Sequence, residues 1–185
     1  MNLISLIHEF VQKIIMKEIE IYNEASIQYE LSIFLRNKIP DYKIQLERNV
    51  AYFGLSKDKF IKKEIDIVIF NNEKTVKTAI ELKFPRNGQH PEEMFSFCKD
   101  VKFLEQLKDC GFSRNIFLCF ADDEKFWSGN TEANSIYRFF RKKEPITGLI
   151  QKPTGKKDIK FDINGTYTVN WQSITNLMQY FIIEV

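Results

Sequence analysis

The sequence predicts a mixed fold of the α/β (α+β) class: a central mixed β-sheet flanked by helices, with helices N-terminal to it and a β extension C-terminal to it. Three observations lead there. Two β-branched, apolar runs, EIDIVIF (64–70) and TVKTAIELKFP (75–85), are separated by the polar turn NNEK and read as a β-hairpin. A helical segment follows from Pro91, and after it comes a short run, NIFLCF, of buried-strand type. A strand reached through a crossover helix usually packs parallel to its neighbour, so an antiparallel meander should be joined by one parallel strand.

The remaining elements follow from local signals. Residues 3–21 (LISLIHEFVQKIIMKEIEI) recur apolar at helical spacing through Leu3, Ile7, Phe10 and Ile14. A second helix opens with Asn23 as N-cap, runs through EASIQYELSIFLRNK and stops before Pro40. YKIQLERNVAYF alternates enough for a first strand, and Asn71 and Asn72 suit positive φ in the hairpin turn. Pro91 with two glutamates marks a helix start, and Gly111 marks its C-cap. Later come a helical turn at SIYRFFRKK, a strand at ITGLIQK, a hairpin in IKFDINGTYTVNW with Asn-Gly at its turn, and a closing strand MQYFIIEV. No repeat or low-complexity linker divides the chain, so residues 1–185 read as a single domain.

Composition narrows the class. Of 185 residues, 44% are apolar and 28% charged, as in a soluble globular protein. No apolar run approaches the ~20 residues of a membrane span, and His8, Glu9 and Lys13 interrupt the N-terminus too early for a signal peptide. Cys98, Cys110 and Cys119 lack C-x-x-C spacing and suit reduced core positions, which makes the cytoplasm the expected compartment. The net charge of +2 hides an asymmetry. Arg138, Arg141, Lys142, Lys143, Lys152, Lys156, Lys157 and Lys160 are offset only by Glu144 and Asp158, and Lys57, Lys59, Lys62 and Lys63 lead into the EIDIVIF strand. Such segments suit the phosphates of a polyanion, although a charge run is also ordinary solvated surface.

The sharpest chemical signal lies in the hairpin. Residues two apart in a strand share a face, so Glu81 and Lys83 point one way while Ile80, Leu82 and Phe84 point the other. The hairpin sets Asp66 across from the Glu81 region. Alternation of this kind also occurs in any half-solvated strand. These strands, however, are apolar enough to be central, where a charged group is costly unless paired or metal-bound. Two carboxylates beside an ammonium can hold a hard divalent cation and orient or deprotonate a water, as metal-dependent phosphodiester cleavage requires.

An Asp in a hydrophobic strand, E-x-K in the next, and a Glu on the preceding helix resemble the PD-(D/E)XK nuclease superfamily, over roughly residues 23–121. The resemblance implies a restriction-endonuclease-like core and a DNA endonuclease dependent on Mg²⁺ or Mn²⁺. It implies that Asp66, Glu81, the backbone carbonyl of Leu82 and Glu30 hold the metal, with Glu24 competing for the place of Glu30. It also implies that Lys83 positions the attacking water and that Gln106 lies near the site. Ile65 stands where the motif has Pro, a position that varies across the superfamily.

Other chemistries find less support. His8 and His90 have no metal-ligand spacing, no G-x-S-x-G occurs, and the seven glycines form no phosphate loop. His90, in the loop after the E-x-K strand, is expected near a substrate phosphate. Trp171 suits the core, whereas the loops at 127–135 and 151–160 are candidates for reading DNA. A homodimer would allow both strands to be cut. The alternatives are a catalytically inactive nucleic-acid-binding module on the same fold, and a protein-interaction module whose carboxylates form structural ion pairs.

Overall fold

The computed structural model describes residues 2–86, 88–155 and 158–185; Asn87, Lys156 and Lys157, which figured in the loop and basic segments above, lie outside the described residues. The fold is mixed α/β, with a mostly antiparallel central sheet flanked by helices. Helices α1 (Leu3–Ile15) and α2 (Glu24–Lys38) precede strands β1 (Lys43–Asn49), β2 (Glu64–Phe70) and β3 (Lys77–Lys83). Helix α3 (His90–Asp109) crosses to β4 (Ile116–Ala121). Short helix α4 (Tyr137–Arg141) leads to β5 (Ile146–Gln151), β6 (Lys160–Tyr167), β7 (Gln172–Ser173) and β8 (Gln179–Glu184). The main sheet runs β1-β2-β3-β4-β8-β7, and β5 and β6 form a separate ribbon. Among the described residues only β3 and β4 pair in parallel, as the crossover through α3 requires.

Strand alternation sorts the core into two layers. Ile67, Ile69, Ile80, Leu82, Ile116 and Leu118 face α1 and α2, meeting Phe10, Ile27, Leu31 and Leu35. Val68, Phe70, Ala79, Phe117 and Cys119 face α3, meeting Phe97, Val101 and Leu104. Asp66, Glu81 and Lys83 share the parity of the second set and therefore project toward α3. Cys98 and Cys119 are buried and unbridged, and burial pushes both thiols up, as befits reduced core residues. Among the described residues no helix is long and apolar enough to cross a membrane.

Several boundaries differ from expectation for identifiable reasons. Helix α1 ends at Ile15 rather than near residue 21: Met16 caps it and Lys17 turns left-handed at φ 61°. Strand β1 stops at Asn49, whose side chain accepts from the Ala51 N–H and starts a 3-10 turn at Val50–Phe53. In the β2–β3 turn the left-handed residue is Lys74 at φ 56°, while Asn71 serves through its side chain, accepting from Val76 N–H at 2.9 Å. Helix α3 closes as anticipated, with Gly111 at φ 82° beyond Cys110.

The predicted hairpin at Asn164-Gly165 does not form. Strand β6 runs through this pair and partners β5, with extra residues accommodated between the Ile146↔Tyr167 and Gly148↔Ile163 pairs. The competing interaction comes from α3. The buried Glu105 carboxylate accepts from Asn164 N–H at 2.9 Å, Gly165 N–H at 2.6 Å and the Tyr167 hydroxyl at 3.2 Å. A bulge thus takes the place of a turn. Because Glu105→Ala strips three donors of their acceptor, it is expected to lower unfolding stability by about 2–4 kcal/mol. In hydrogen exchange, amide protection should fall first at 160–167; unchanged protection there would show that the ribbon is held by other contacts.

Candidate functional site

The β2–β3 ladder is regular from Phe70↔Lys77 to Ile67↔Ile80 and then changes character. One step further the same register sets Asp66 opposite Glu81. Here carboxylates serve the backbone: Asp66 Oδ2 accepts from Leu82 N–H at 2.7 Å, and Glu81 Oε1 accepts from Asp66 N–H at 3.3 Å. The neighbouring β1–β2 ladder also omits one pairing, between Leu46↔Ile67 and Arg48↔Ile65. Glu47 is left-handed there at φ 47°, and the Asp66 carbonyl accepts instead from Gln28 of α2 at 2.8 Å. The sheet is therefore locally open where its acids sit, and side chains complete its hydrogen bonding.

Six ionisable groups meet at this opening. Lys62, four residues before Asp66, turns inward so that its Nζ contacts Glu81 Oε2, lies 3.0 Å from Asp100 Oδ1 and 3.6 Å from Asp66 Oδ1. Lys83 Nζ lies 3.4 Å from Asp100 Oδ2 and 3.4 Å from Glu24 Oε2, and it donates to the Leu82 carbonyl at 3.0 Å. Glu81 is fully buried, and Asp66 and Asp100 are buried with it. Asp100 Oδ2, although ion-paired with Lys83, accepts no hydrogen bond.

Burial and mutual repulsion set the charge states. Burial pushes Asp66 up to about 6, against the pull of Lys62. Burial and then Asp66 raise Glu81 well above the usual carboxylate range. For Lys62 burial acts downward, but Glu81, Asp100 and Asp66 outweigh it and the ammonium is strengthened. Lys83 is likewise raised, by Asp100 and Glu24 against burial. A lysine held protonated donates hydrogen bonds; in this state Lys83 can orient a water but not deprotonate it. With all six groups ionised, four carboxylates (Glu24, Asp66, Glu81, Asp100) face two ammoniums (Lys62, Lys83), an excess of two negative charges.

The structure brings Asp66, Glu81, Lys83 and the Leu82 carbonyl together, but it separates two other expected residues from them. Glu24, in the first turn of α2, supplies the helical acid at Lys83. Glu30 is half-buried two residues past Gln28, about 200° around the helix, and makes no hydrogen bond or ion pair with a described residue. Gln106 touches no carboxylate; it accepts from Ile61 N–H at 2.9 Å and donates to the Lys59 carbonyl at 3.0 Å, fixing the segment that carries Lys62. His90 is engaged with Asp123 at 2.6 Å and packs on Phe126. Trp171 donates its indole N–H to Phe140 at 3.0 Å and packs on Phe181, in keeping with a core role. In the basic segment Arg141 binds the Lys125 and Asn130 carbonyls, Arg138 pairs with Glu144 and Lys152 with Glu92, while Lys142, Lys143 and Lys160 are exposed.

Asp100 and Lys62 were not singled out by sequence as site residues. Asp100 had a readable signal: it falls three residues after Phe97 and four before Leu104, a charge within the apolar stripe of α3. Lys62 had none beyond its place in a lysine cluster.

Among the described residues no group of three or more His, Cys, Asp or Glu is arranged to hold a metal ion as it stands. The donor chemistry nevertheless fits a hard cation. Carboxylate oxygens of Asp66, Glu81 and Asp100 already converge on the Lys62 ammonium, negative charge is in excess, and one buried Asp100 oxygen lacks a hydrogen bond.

The Asp66 environment predicts a pH dependence in chelator-treated protein. Its folded pKa, about 6, exceeds the ordinary aspartate value of 3.8, so the native state binds the proton more tightly. The associated stabilisation is complete below pH 4 and is lost as pH rises through 6. Asp66→Asn removes this loss, and its unfolding free energy relative to wild type should rise by roughly 2–3 kcal/mol between pH 4 and pH 7 in urea titrations. A difference independent of pH would place Asp66 in a solvated environment. The chain matches no protein-family model, no curated protein and no solved structure.

Proposed function

We propose that the protein is a metal-dependent DNA endonuclease with a restriction-endonuclease-like core, using Mg²⁺ or Mn²⁺ to hydrolyse phosphodiester bonds. The observation that carries this reading is the convergence of Asp66, Glu81, Asp100 and Lys83 where the central sheet opens between β2 and β3. The order α2, β1, β2, β3, α3, β4, with a parallel β3–β4 pair, follows the helices and mixed sheet expected from the sequence and supports this reading.

In this reading Asp66, Glu81 and Asp100 would hold the cation, with the Leu82 carbonyl as a further oxygen. The bound ion would offset charge on the transferring phosphate and acidify a water. Lys83, kept protonated and aimed by Asp100 and Glu24, would hydrogen-bond the attacking water and set its line of approach. Glu24 and Asp100 act on Lys83 as positioning residues. Exposed Lys142, Lys143 and Lys160, with exposed Lys57, Lys59 and Lys63 in the segment that carries Lys62, would supply phosphate contacts.

A second reading has its own observation. The Lys62 ammonium already serves as counterion to all three carboxylates, as a catalytically inactive module on the same fold would need. Incubation with supercoiled plasmid separates the two. The nuclease reading expects nicking that requires Mg²⁺ or Mn²⁺ and stops with chelator. Lys83→Ala should reduce the rate at least about 100-fold while sparing Mn²⁺ and DNA binding. Asp66→Asn should lose both cleavage and metal. Cutting by either variant at the wild-type rate would overturn the assignment, and inactivity of the wild type with every divalent ion would favour the inactive module.

A further inference from the structure

We propose that Lys62 is a displaceable resident cation: its ammonium occupies the position of the divalent ion, and metal loading proceeds by exchange of one for the other. The inference rests on the metal-dependent reading above and adds a gate to it.

Three observations converge. The Lys62 Nζ is the point at which Asp66, Glu81 and Asp100 meet, at 3.6 Å from Asp66 and 3.0 Å from Asp100 and in contact with Glu81. Oxygen distances to a bound Mg²⁺ are about 2.1 Å, so once the ammonium leaves Asp100 needs to close in by about 1 Å and Asp66 by about 1.5 Å. The charge count favours the exchange. With Glu24 included, the four ionised carboxylates with Lys62 and Lys83 carry two negative charges in excess, and replacing the Lys62 ammonium by a divalent ion halves that excess. Finally, Asp100 Oδ1 already faces the Lys62 position while Oδ2 stays paired with Lys83, so Asp100 can hold an incoming cation without releasing Lys83.

The fold lets the lysine leave without moving the acids. Asp66, Glu81 and Asp100 stand on β2, β3 and α3, whereas Lys62 belongs to the irregular stretch between β1 and β2. Its side chain keeps a quarter of its surface in solvent, so an outward path exists along a flexible four-carbon stem. Gln106 and the Val50 N–H, which donates to the Lys63 carbonyl at 2.9 Å, hold the backbone on either side, leaving rotation of the side chain as the motion required. Metal affinity is then reduced by the fraction of molecules in which Lys62 is already outside.

The test measures Mn²⁺ binding by calorimetry to wild type and to Lys62→Gln, which keeps much of the side-chain length without the charge. The variant should bind Mn²⁺ about tenfold more tightly or better. In wild type, acylation of Lys62 by an amine-directed reagent, read by mass spectrometry, should speed up several-fold at saturating Mn²⁺ while exposed lysines such as Lys142 are unaffected. Equal or weaker Mn²⁺ binding by Lys62→Gln, with wild type binding normally, would overturn the exchange and leave the metal site standing. Failure of both proteins to bind Mn²⁺ would overturn the metal site and the exchange with it. Should Lys62→Gln not fold, the labelling of wild type decides: reactivity unchanged by bound Mn²⁺ overturns the proposal.

Discussion

Three carboxylates are buried around one ammonium, and this arrangement dictates much of the structure near it. An ionised carboxylate removed from water costs several kcal/mol unless it is paired and hydrogen-bonded. Each acid here answers that requirement in its own way. Asp66 takes the Leu82 N–H, Glu81 takes the Asp66 N–H, and Asp100 bridges Lys62 and Lys83. The sheet can open at this point because its lost ladder bonds are replaced by side chains, Gln28 among them. Unlike an apolar core, the cluster is not balanced: when its acids are ionised, negative charge exceeds the available positive charge. That imbalance is the physical reason to read it as a cation site rather than as a structural network alone.

Legibility of the fold followed the strength of the local signal. The β2–β3 hairpin, the parallel β4 and helix α3 were readable because β-branched runs, a polar turn, Pro91 and Gly111 all agreed. Misreadings arose where a distant group outweighed a local preference. Asn164-Gly165 has the composition of a hairpin turn, yet Glu105, some 60 residues earlier, captures its N–H groups and keeps the strand extended. Asn49 ended β1 early through its own side chain, a contact that alternation of apolar residues does not register.

The site divides similarly. Asp66, Glu81 and Lys83 are neighbours because strand parity and hairpin register place them so, and both are visible in the chain. Glu24 and Glu30 differ only in where they fall around α2, and helix phase relative to a strand edge is a tertiary property. Glu24 begins the helix and reaches Lys83, whereas Glu30 makes no hydrogen bond or ion pair among the described residues. Lys62 was indistinguishable from the exposed lysines beside it, since nothing local states that one of four similar side chains will turn inward toward three acids.

The most direct measurement is a Mn²⁺ soak of crystals with anomalous diffraction. The account predicts an anomalous peak at about 2.2 Å from carboxylate oxygens of Asp66 and Glu81, with Asp100 turned toward it and the Lys62 side chain moved into solvent. Lys62 still in contact with Glu81, and no anomalous peak between β2, β3 and α3, would contradict it.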